Sequence, residues 1–89
     1  MNIQITNASM KHSAEDGYVG LVEFTVEGHP LPYEATFHST NGKSWSYGLR
    51  FSKESGSEEL IEAVEEYLDE DDAAFDSLVE AAKAQLNHA

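Results

Sequence analysis

Ten carboxylates lie between Glu58 and Asp76, a stretch of nineteen residues that contains no Lys or Arg. Carboxylates at this density can bind a divalent cation, act as acid and base in catalysis, or dock on a cationic surface. The chain contains no Cys, so thiolate nucleophiles, disulfides and cysteine zinc sites are excluded. The three remaining kinds of chemistry are distinguished by spacing.

The segment Asp69–Glu80 has the length and part of the pattern of a calcium-binding loop. Its twelve residues place Asp at positions one and three and Glu at position twelve. Position six, which requires Gly for a sharp turn, is Ala74, and position five is Ala73 rather than a polar ligand. Because these residues are typical of the first turn of a helix, we predict no metal and no cofactor, and we keep a Ca²⁺ site as an alternative.

Histidine chemistry has little support in the sequence. The four His residues share no metal-ligand spacing; they are His12, His29, His38 and His88. A Ser–His–acid set can be drawn on the outer face of the predicted sheet from Ser44, His38 and Glu34. Since exposed Ser and His often meet by chance on a small sheet, we predict that the protein is not an enzyme.

The acidic run itself predicts a docking surface. On a helix, four carboxylates form one row and three more flank it: Glu58, Glu62, Glu65 and Asp69, with Glu66, Asp72 and Asp76. Neighbours in such a row are about 5–6 Å apart, a spacing that roughly imitates a phosphate backbone. The row predicts docking on a basic protein surface, most concretely by an inhibitor that mimics nucleic acid. The alternative is a solvated face that serves only solubility.

The net charge of −12 is distributed unevenly along the chain. Residues 1–53 hold five acids against four bases, whereas residues 54–89 hold twelve acids against Lys83 alone. This charge excludes direct nucleic-acid binding and disfavours anionic membranes. Met1–Ile5 lacks the basic and apolar segments of a secretory signal, and no apolar run approaches the ~20 residues of a membrane span. We therefore expect a cytoplasmic protein, and its oligomeric state stays open.

The first half of the chain is predicted to form strands. Alternation of apolar and polar residues predicts strands over Tyr18–Glu27, Leu31–Phe37 and Ser44–Ser52, with a shorter strand that begins at Ile3. The result is a three- or four-stranded antiparallel meander within residues 1–53, with aromatic side chains on one face.

Parity of the side chains selects the turns. A turn at Gly28–His29, opened by Pro30, pairs Phe24 with Tyr33, Val22 with Ala35 and Gly20 with Phe37. A three-residue loop at residues 40–42, with Gly42 in the left-handed region, pairs Phe37 with Trp45, Ala35 with Tyr47 and Tyr33 with Leu49. Both turns keep the apolar side chains on one face of the sheet.

The second half, residues 55–88, is predicted to be helical. Ser55 and Glu58 fit a capping box, and Ser57 is a competing cap. Two apolar stripes follow, formed by Leu60, Ile61, Val64, Tyr67 and Leu68 and by Phe75, Leu78, Val79, Ala82 and Leu86. Compactness favours two helices that break near Asp69–Asp72, with one bent helix as the rival. The sequence thus predicts a single α+β domain, residues 1–89, in two layers: a meander followed by two C-terminal helices packed on one face.

Overall fold

The computed structural model of the protein describes residues 1–88, so that Ala89, the last residue of the predicted domain, lies outside the described residues. Four strands are followed by two helices and a short 3₁₀ helix: β1 Ile3–Ser13, β2 Gly17–Val26, β3 Tyr33–Ser39, β4 Ser46–Phe51, α1 Glu58–Glu70, α2 Asp72–Lys83 and the 3₁₀ helix Ala84–His88. The strands form one antiparallel sheet in the order β1-β2-β3-β4. The predicted α+β fold, with a four-stranded meander before two helices, is confirmed.

Strand β1 is longer than the sequence predicted. It pairs with β2 over its whole length, and the register shifts between Ile5 and Asn7. This bulge at Thr6 reverses the alternation along β1. Ile3 and Ile5 before it and Ala8 and Met10 after it pair with core-facing β2 residues, although Ile5 stays 38% exposed. A single alternating pattern therefore does not describe the strand, and the expectation of a short strand was wrong.

The pairing of β2 with β3 is the predicted one. Phe24 pairs with Tyr33, Val22 with Ala35 and Gly20 with Phe37. The strands stop before Pro30 and resume after it, as expected of a residue that cannot donate to the ladder. The turn is closed by the backbone N–H of His29, which donates to the carbonyl oxygen of Val26 over 3.0 Å.

The pairing of β3 with β4 differs from the prediction by two residues. Phe37 pairs with Tyr47, Ala35 with Leu49 and Tyr33 with Phe51, so the connection spans residues 40–45. The Oδ1 atom of Asn41 accepts hydrogen bonds from the backbone N–H groups of Lys43 and Ser44, at 2.8 and 3.1 Å. These bonds hold a wider loop, in which Gly42 has the predicted positive φ of 75°. Because the shift is an even number of residues, the same side chains still face the core.

Helix α1 begins at the competing cap. The Oγ atom of Ser57 accepts a hydrogen bond from the backbone N–H of Leu60, so the prediction of Ser55 as the cap was wrong. The helix ends at Asp71, where the chain is extended, with φ −110° and ψ 96°. The predicted break between two helices is confirmed, and the single bent helix is rejected.

The core lies between the inner face of the sheet and the two helices. It combines side chains of both layers, among them Val22, Phe24, Tyr33, Phe37, Val64, Leu68, Leu78 and Ala82, all 0–2% exposed. Helix α1 contacts β4, and α2 contacts β1 and β2. Burial of these apolar stripes supplies the free energy that offsets repulsion among the surface carboxylates. Among the described residues, no helix is both long and apolar enough to cross a membrane.

Candidate docking surface on the acidic helices

Helix α1 separates its apolar and acidic residues onto opposite sides. Val64 and Leu68 are buried against the sheet, and Ile61 is partly buried beside them. At about 100° of rotation per residue, the five predicted acidic side chains of this helix fall within an arc of ~100° on the opposite side. All five are exposed: Glu58, Glu62, Glu65, Glu66 and Asp69. The helical period therefore assembles the row that the sequence predicts.

Four of these carboxylates line one shallow depression on the surface of α1. Glu62, Glu65, Glu66 and Asp69 surround a volume of about 350 Å³. Their spacings of three and four residues place them at the corners of a rhombus, so each carboxylate has two acidic neighbours on the helix surface. The structure thus concentrates negative charge at one place on the helix.

The other three predicted residues lie outside this depression. Glu58 is the first residue of α1, where the partial positive charge of the helix N-terminus stabilises a carboxylate. Asp72 and Asp76 are exposed on α2 and follow the break in the chain. We call the seven residues together the acidic face; its dense part is the depression on α1.

Tyr47 ties the acidic face to the sheet, a contact that sequence reasoning missed. Its hydroxyl donates a hydrogen bond to Oδ1 of Asp69 over 2.7 Å and lies 3.3 Å from the carbonyl oxygen of Glu65. Burial, followed by the hydrogen bond and the charge of Asp69 and the charge of Glu65, raises the pKa of Tyr47 well above its usual value. Asp69 is therefore held in place by the neighbouring layer, and the rhombus has one rigid corner.

Tyr47 was predicted only as a core residue, and that prediction holds for its ring. The ring centroid lies 6.1 Å from that of Phe37 and 5.3 Å from that of Phe75. A tyrosine at a core position near a predicted acidic helix is the available signal for such a contact, since a buried hydroxyl requires a partner. The partner itself follows from the packing of α1 beside β4.

Asp71 joins the two helices by capping α2 and closing α1. Its side chain accepts a hydrogen bond from the backbone N–H of Ala74 over 3.1 Å and so caps α2. Its own N–H donates to the carbonyl oxygen of Tyr67 over 2.9 Å and closes α1. Burial and the nearby Asp71 carboxylate raise the pKa of Tyr67. Of the ten carboxylates in the run, this one has a clear role in folding.

Two of the five cations of the chain form ion pairs, and both pairs lie away from the acidic face. Among the residues that the structure describes, ion pairs join Arg50 to Glu34 and Lys83 to Glu80. Arg50 also donates from Nε to the Oε1 atom of Glu34 over 2.6 Å, and Glu34 is 7% exposed. The predicted register would have placed Gly48 opposite Glu34, so the corrected register is what reveals this pair. Neither ion pair neutralises a residue of the acidic face.

The described residues form neither the calcium-binding loop nor the Ser–His–acid set. Within Asp69–Glu80, every residue except Asp71 lies in α1 or α2, so a twelve-residue calcium loop is not formed. A search of the described residues finds no group of three or more His, Asp or Glu side chains able to hold a metal ion. The Nε2 atom of His38 lies 2.9 Å from the carbonyl oxygen of Asp16 and Ser46 donates to the His38 carbonyl oxygen, whereas Glu34 is held by Arg50. The proposed Ser44–His38–Glu34 set is not assembled.

Comparison with protein-family models, with curated proteins and with solved structures gives no match for this chain. The functional argument therefore rests on the acidic face and on the fold that presents it.

Proposed function

We propose that this protein is a non-enzymatic binding protein that docks through its acidic face on a basic surface of a partner protein. The most concrete form is an inhibitor that occupies the groove of a nucleic-acid-binding protein and excludes the nucleic acid. The observation that carries the proposal is the exposed row on α1, which gathers Glu58, Glu62, Glu65, Glu66 and Asp69 on one side of one helix.

The acidic face opposes the stability of its own helix. Glu58–Glu62, Glu62–Glu66, Glu65–Asp69 and Glu66–Glu70 are like-charged pairs at four-residue spacing. Each pair is unfavourable by about 0.2–0.5 kcal/mol, in a fold whose total stability is of the order of 5–15 kcal/mol. A chain with a few Lys residues on this side of the helix would fold at least as well. The composition of the face therefore supports a role outside folding.

The density of charge on α1 supports the comparison with nucleic acid. From Glu58 to Asp69 the helix rises by about 16 Å, so the five carboxylates of the row are spaced by about 4 Å of axis on average. One strand of duplex DNA carries a phosphate about every 3.4 Å of axis. A groove lined by Lys and Arg for phosphates thus meets a similar linear charge on this helix.

Salt-dependent capture tests the proposal. The protein is immobilised and exposed to a lysate of its native host at ~50 mM salt, where the screening length is about 14 Å. We expect a basic protein to be retained, to be released by ~0.5 M salt, and to be displaced by added duplex DNA or RNA. If the retained proteins do not respond to salt or nucleic acid, the proposal is wrong.

A pair of matched variants assigns the capture to the acidic face. Glu62→Lys with Glu66→Lys reverses two corners of the rhombus and should abolish retention. Glu15→Lys with Glu27→Lys makes the same change in net charge at exposed positions of the β-layer and should retain the partner. Equal loss in both variants would show that net charge, and not this face, is responsible.

A further inference from the structure

The outer face of the sheet, on the side opposite the helices, is the second large surface of the molecule. The strand register arranges its side chains in three rows across the sheet: Lys11, Val19, His38 and Ser46; Ser9, Leu21, Thr36 and Gly48; and Asn7, Glu23, Glu34 and Arg50. We use the name outer face for these twelve residues. Nothing in the proposed function uses them.

The outer face is electrically balanced in a chain of net charge −12. Its two bases, Lys11 and Arg50, equal its two acids, Glu23 and Glu34, and Arg50 is paired with Glu34 within the face. The middle row contains no charged residue. A second copy of this strongly acidic chain therefore meets no local excess of negative charge on this surface.

The shape of the outer face also suits a contact. Val19 projects with 41% of its surface exposed, the largest apolar exposure within β2–β4. Beside it, Leu21, Thr36 and Gly48 line a depression of about 440 Å³ together with Leu49 and Arg50. A Cβ atom built on Gly48 would have no atom within 4 Å, so the absence of a side chain leaves that place open. The face thus offers both a projection and a recess.

We propose that two copies of the protein associate through their outer faces, sheet against sheet, about a two-fold axis. With the axis along the middle row, each strand lies over its own copy and the first row of one copy lies over the third row of the other, so that Lys11 lies opposite Asn7. No two like charges are then placed opposite each other, and Lys11 of each copy lies one strand away from Glu23 of the other. Aligned packing of two antiparallel sheets is the arrangement that such faces commonly adopt.

The available area limits the strength of the dimer. Four strands ~4.8 Å apart and about eight residues long at ~3.3 Å each give a face of roughly 500 Å². Two such faces bury about 1,000 Å², at the lower bound for a specific interface. The dimer is therefore weak and depends on concentration.

Electrostatics favour this surface over the helical one. In a sheet-to-sheet dimer the two helical layers lie on the outside, separated by three layer spacings of ~10 Å. That distance of ~30 Å exceeds the screening length of ~8 Å at physiological salt. Below physiological salt the screening is weaker, and the net repulsion between two chains of charge −12 outweighs the few complementary charges in the contact. Added salt therefore strengthens the dimer, whereas it weakens docking of the acidic face on a basic partner.

Sedimentation equilibrium of the full chain, from ~5 µM to ~1 mM at 50, 150 and 500 mM NaCl, tests the proposal. We expect a monomer–dimer equilibrium whose association constant rises with salt. Thr36→Glu and Val19→Glu each place two like charges in the contact and should weaken the dimer at least tenfold. Ala73→Glu adds the same charge at an exposed position of α2 and should leave the dimer unchanged.

Three outcomes would overturn the inference: a monomer at all concentrations, a dimer unaffected by both outer-face variants, or a dimer that weakens as salt rises. Circular dichroism confirms that each variant is folded, and two variants in different strands ensure that one failure to fold does not end the test. The result is independent of partner capture, because the acidic face keeps all of its residues in these variants.

Discussion

The outer face of the sheet and the acidic face of the helices carry different charge patterns, although the layers that present them share one core. The apolar side of each layer is buried in that core. The sheet balances Lys11 and Arg50 against Glu23 and Glu34, whereas α1 carries seven exposed carboxylates and no cation. Burial alone is satisfied by both patterns. The difference supports the proposal that the acidic face serves a contact outside the molecule.

The largest predicted effect comes from a change in the core that the two layers share. Phe37 is fully buried, and its ring contacts Tyr47 in the sheet and Phe75 on α2, with centroids 6.1 and 5.5 Å apart. Phe37→Ala should lower the free energy of unfolding by about 3–5 kcal/mol through lost burial and a cavity. Urea denaturation followed by circular dichroism measures this loss.

Thr36→Ala, at the next position on the outer face, is the control and should change stability by less than about 0.5 kcal/mol. A loss below about 1 kcal/mol for Phe37→Ala would mean that the two layers do not depend on one core.

The second prediction distinguishes Asp71, whose carboxylate caps α2, from an exposed carboxylate that makes no cap. Asp71→Ala removes the cap of α2 and should cost about 1 kcal/mol in urea denaturation. Asp72→Ala removes the same charge one residue later, from an exposed side chain. We expect Asp72→Ala to change stability far less. Equal effects would refute a capping role for Asp71.

The third prediction concerns the bond between the two layers. Tyr47→Phe removes the hydroxyl that donates to Asp69 and should cost about 0.5–1.5 kcal/mol at neutral pH. The folded protein raises the pKa of Tyr47, so it keeps a proton that the unfolded chain releases above pH ~10. This part of the stability is complete below pH 10 and is lost as the pH rises beyond it.

Urea denaturation at pH 7 and at pH 11 should therefore show a smaller difference between wild type and Tyr47→Phe at the higher pH. Tyr18→Phe, on β2 two strands away from Tyr47, controls for the loss of a tyrosine hydroxyl. A difference that stays constant with pH would mean that Asp69 does not hold this proton in the folded state.

The smallest predicted effect has the opposite sign. Glu62→Lys removes repulsion with Glu58 and Glu66 and creates a favourable Glu58–Lys pair, so the protein should gain about 0.5–1 kcal/mol at low salt. The gain should shrink at 0.5 M salt because exposed charges are screened. Ala63→Lys, the next residue on α1, serves as the control. If Glu62→Lys destabilises the protein, the carboxylates assist folding, and the contrast between the two faces disappears.

The sequence predicted the pairing of β2 with β3 because both strands alternate strictly and Pro30 limits the turn. It did not predict the register of β4, because a shift of two residues leaves the same side chains inward. The choice depends on hydrogen bonds around Asn41, which no periodic pattern contains. The bulge at Thr6 concealed β1 for a related reason, since it reverses the alternation within the strand.

The exposed positions of the row on α1 follow from the sequence because helical spacing converts directly into position on a surface, and the role of the row in docking stays a prediction. The hydrogen bond from Tyr47 to Asp69 was not predicted, because it joins residues 22 positions apart and depends on how two layers pack. In the same way, the pair of Glu34 and Arg50 follows only from the correct register. Local spacing predicted the face, and contacts between elements determined which of its members are fixed.

The single residue between the helices has a mechanical consequence. The carbonyl oxygen of Asp71 accepts a hydrogen bond from the N–H of Phe75, and the N–H of Asp71 donates to the carbonyl oxygen of Tyr67. Helix α2 therefore begins at the residue where α1 ends. A bound molecule that displaces the end of α1 would therefore also displace the first turn of α2, where the ring of Phe75 packs on Phe37 and Tyr47 of the sheet.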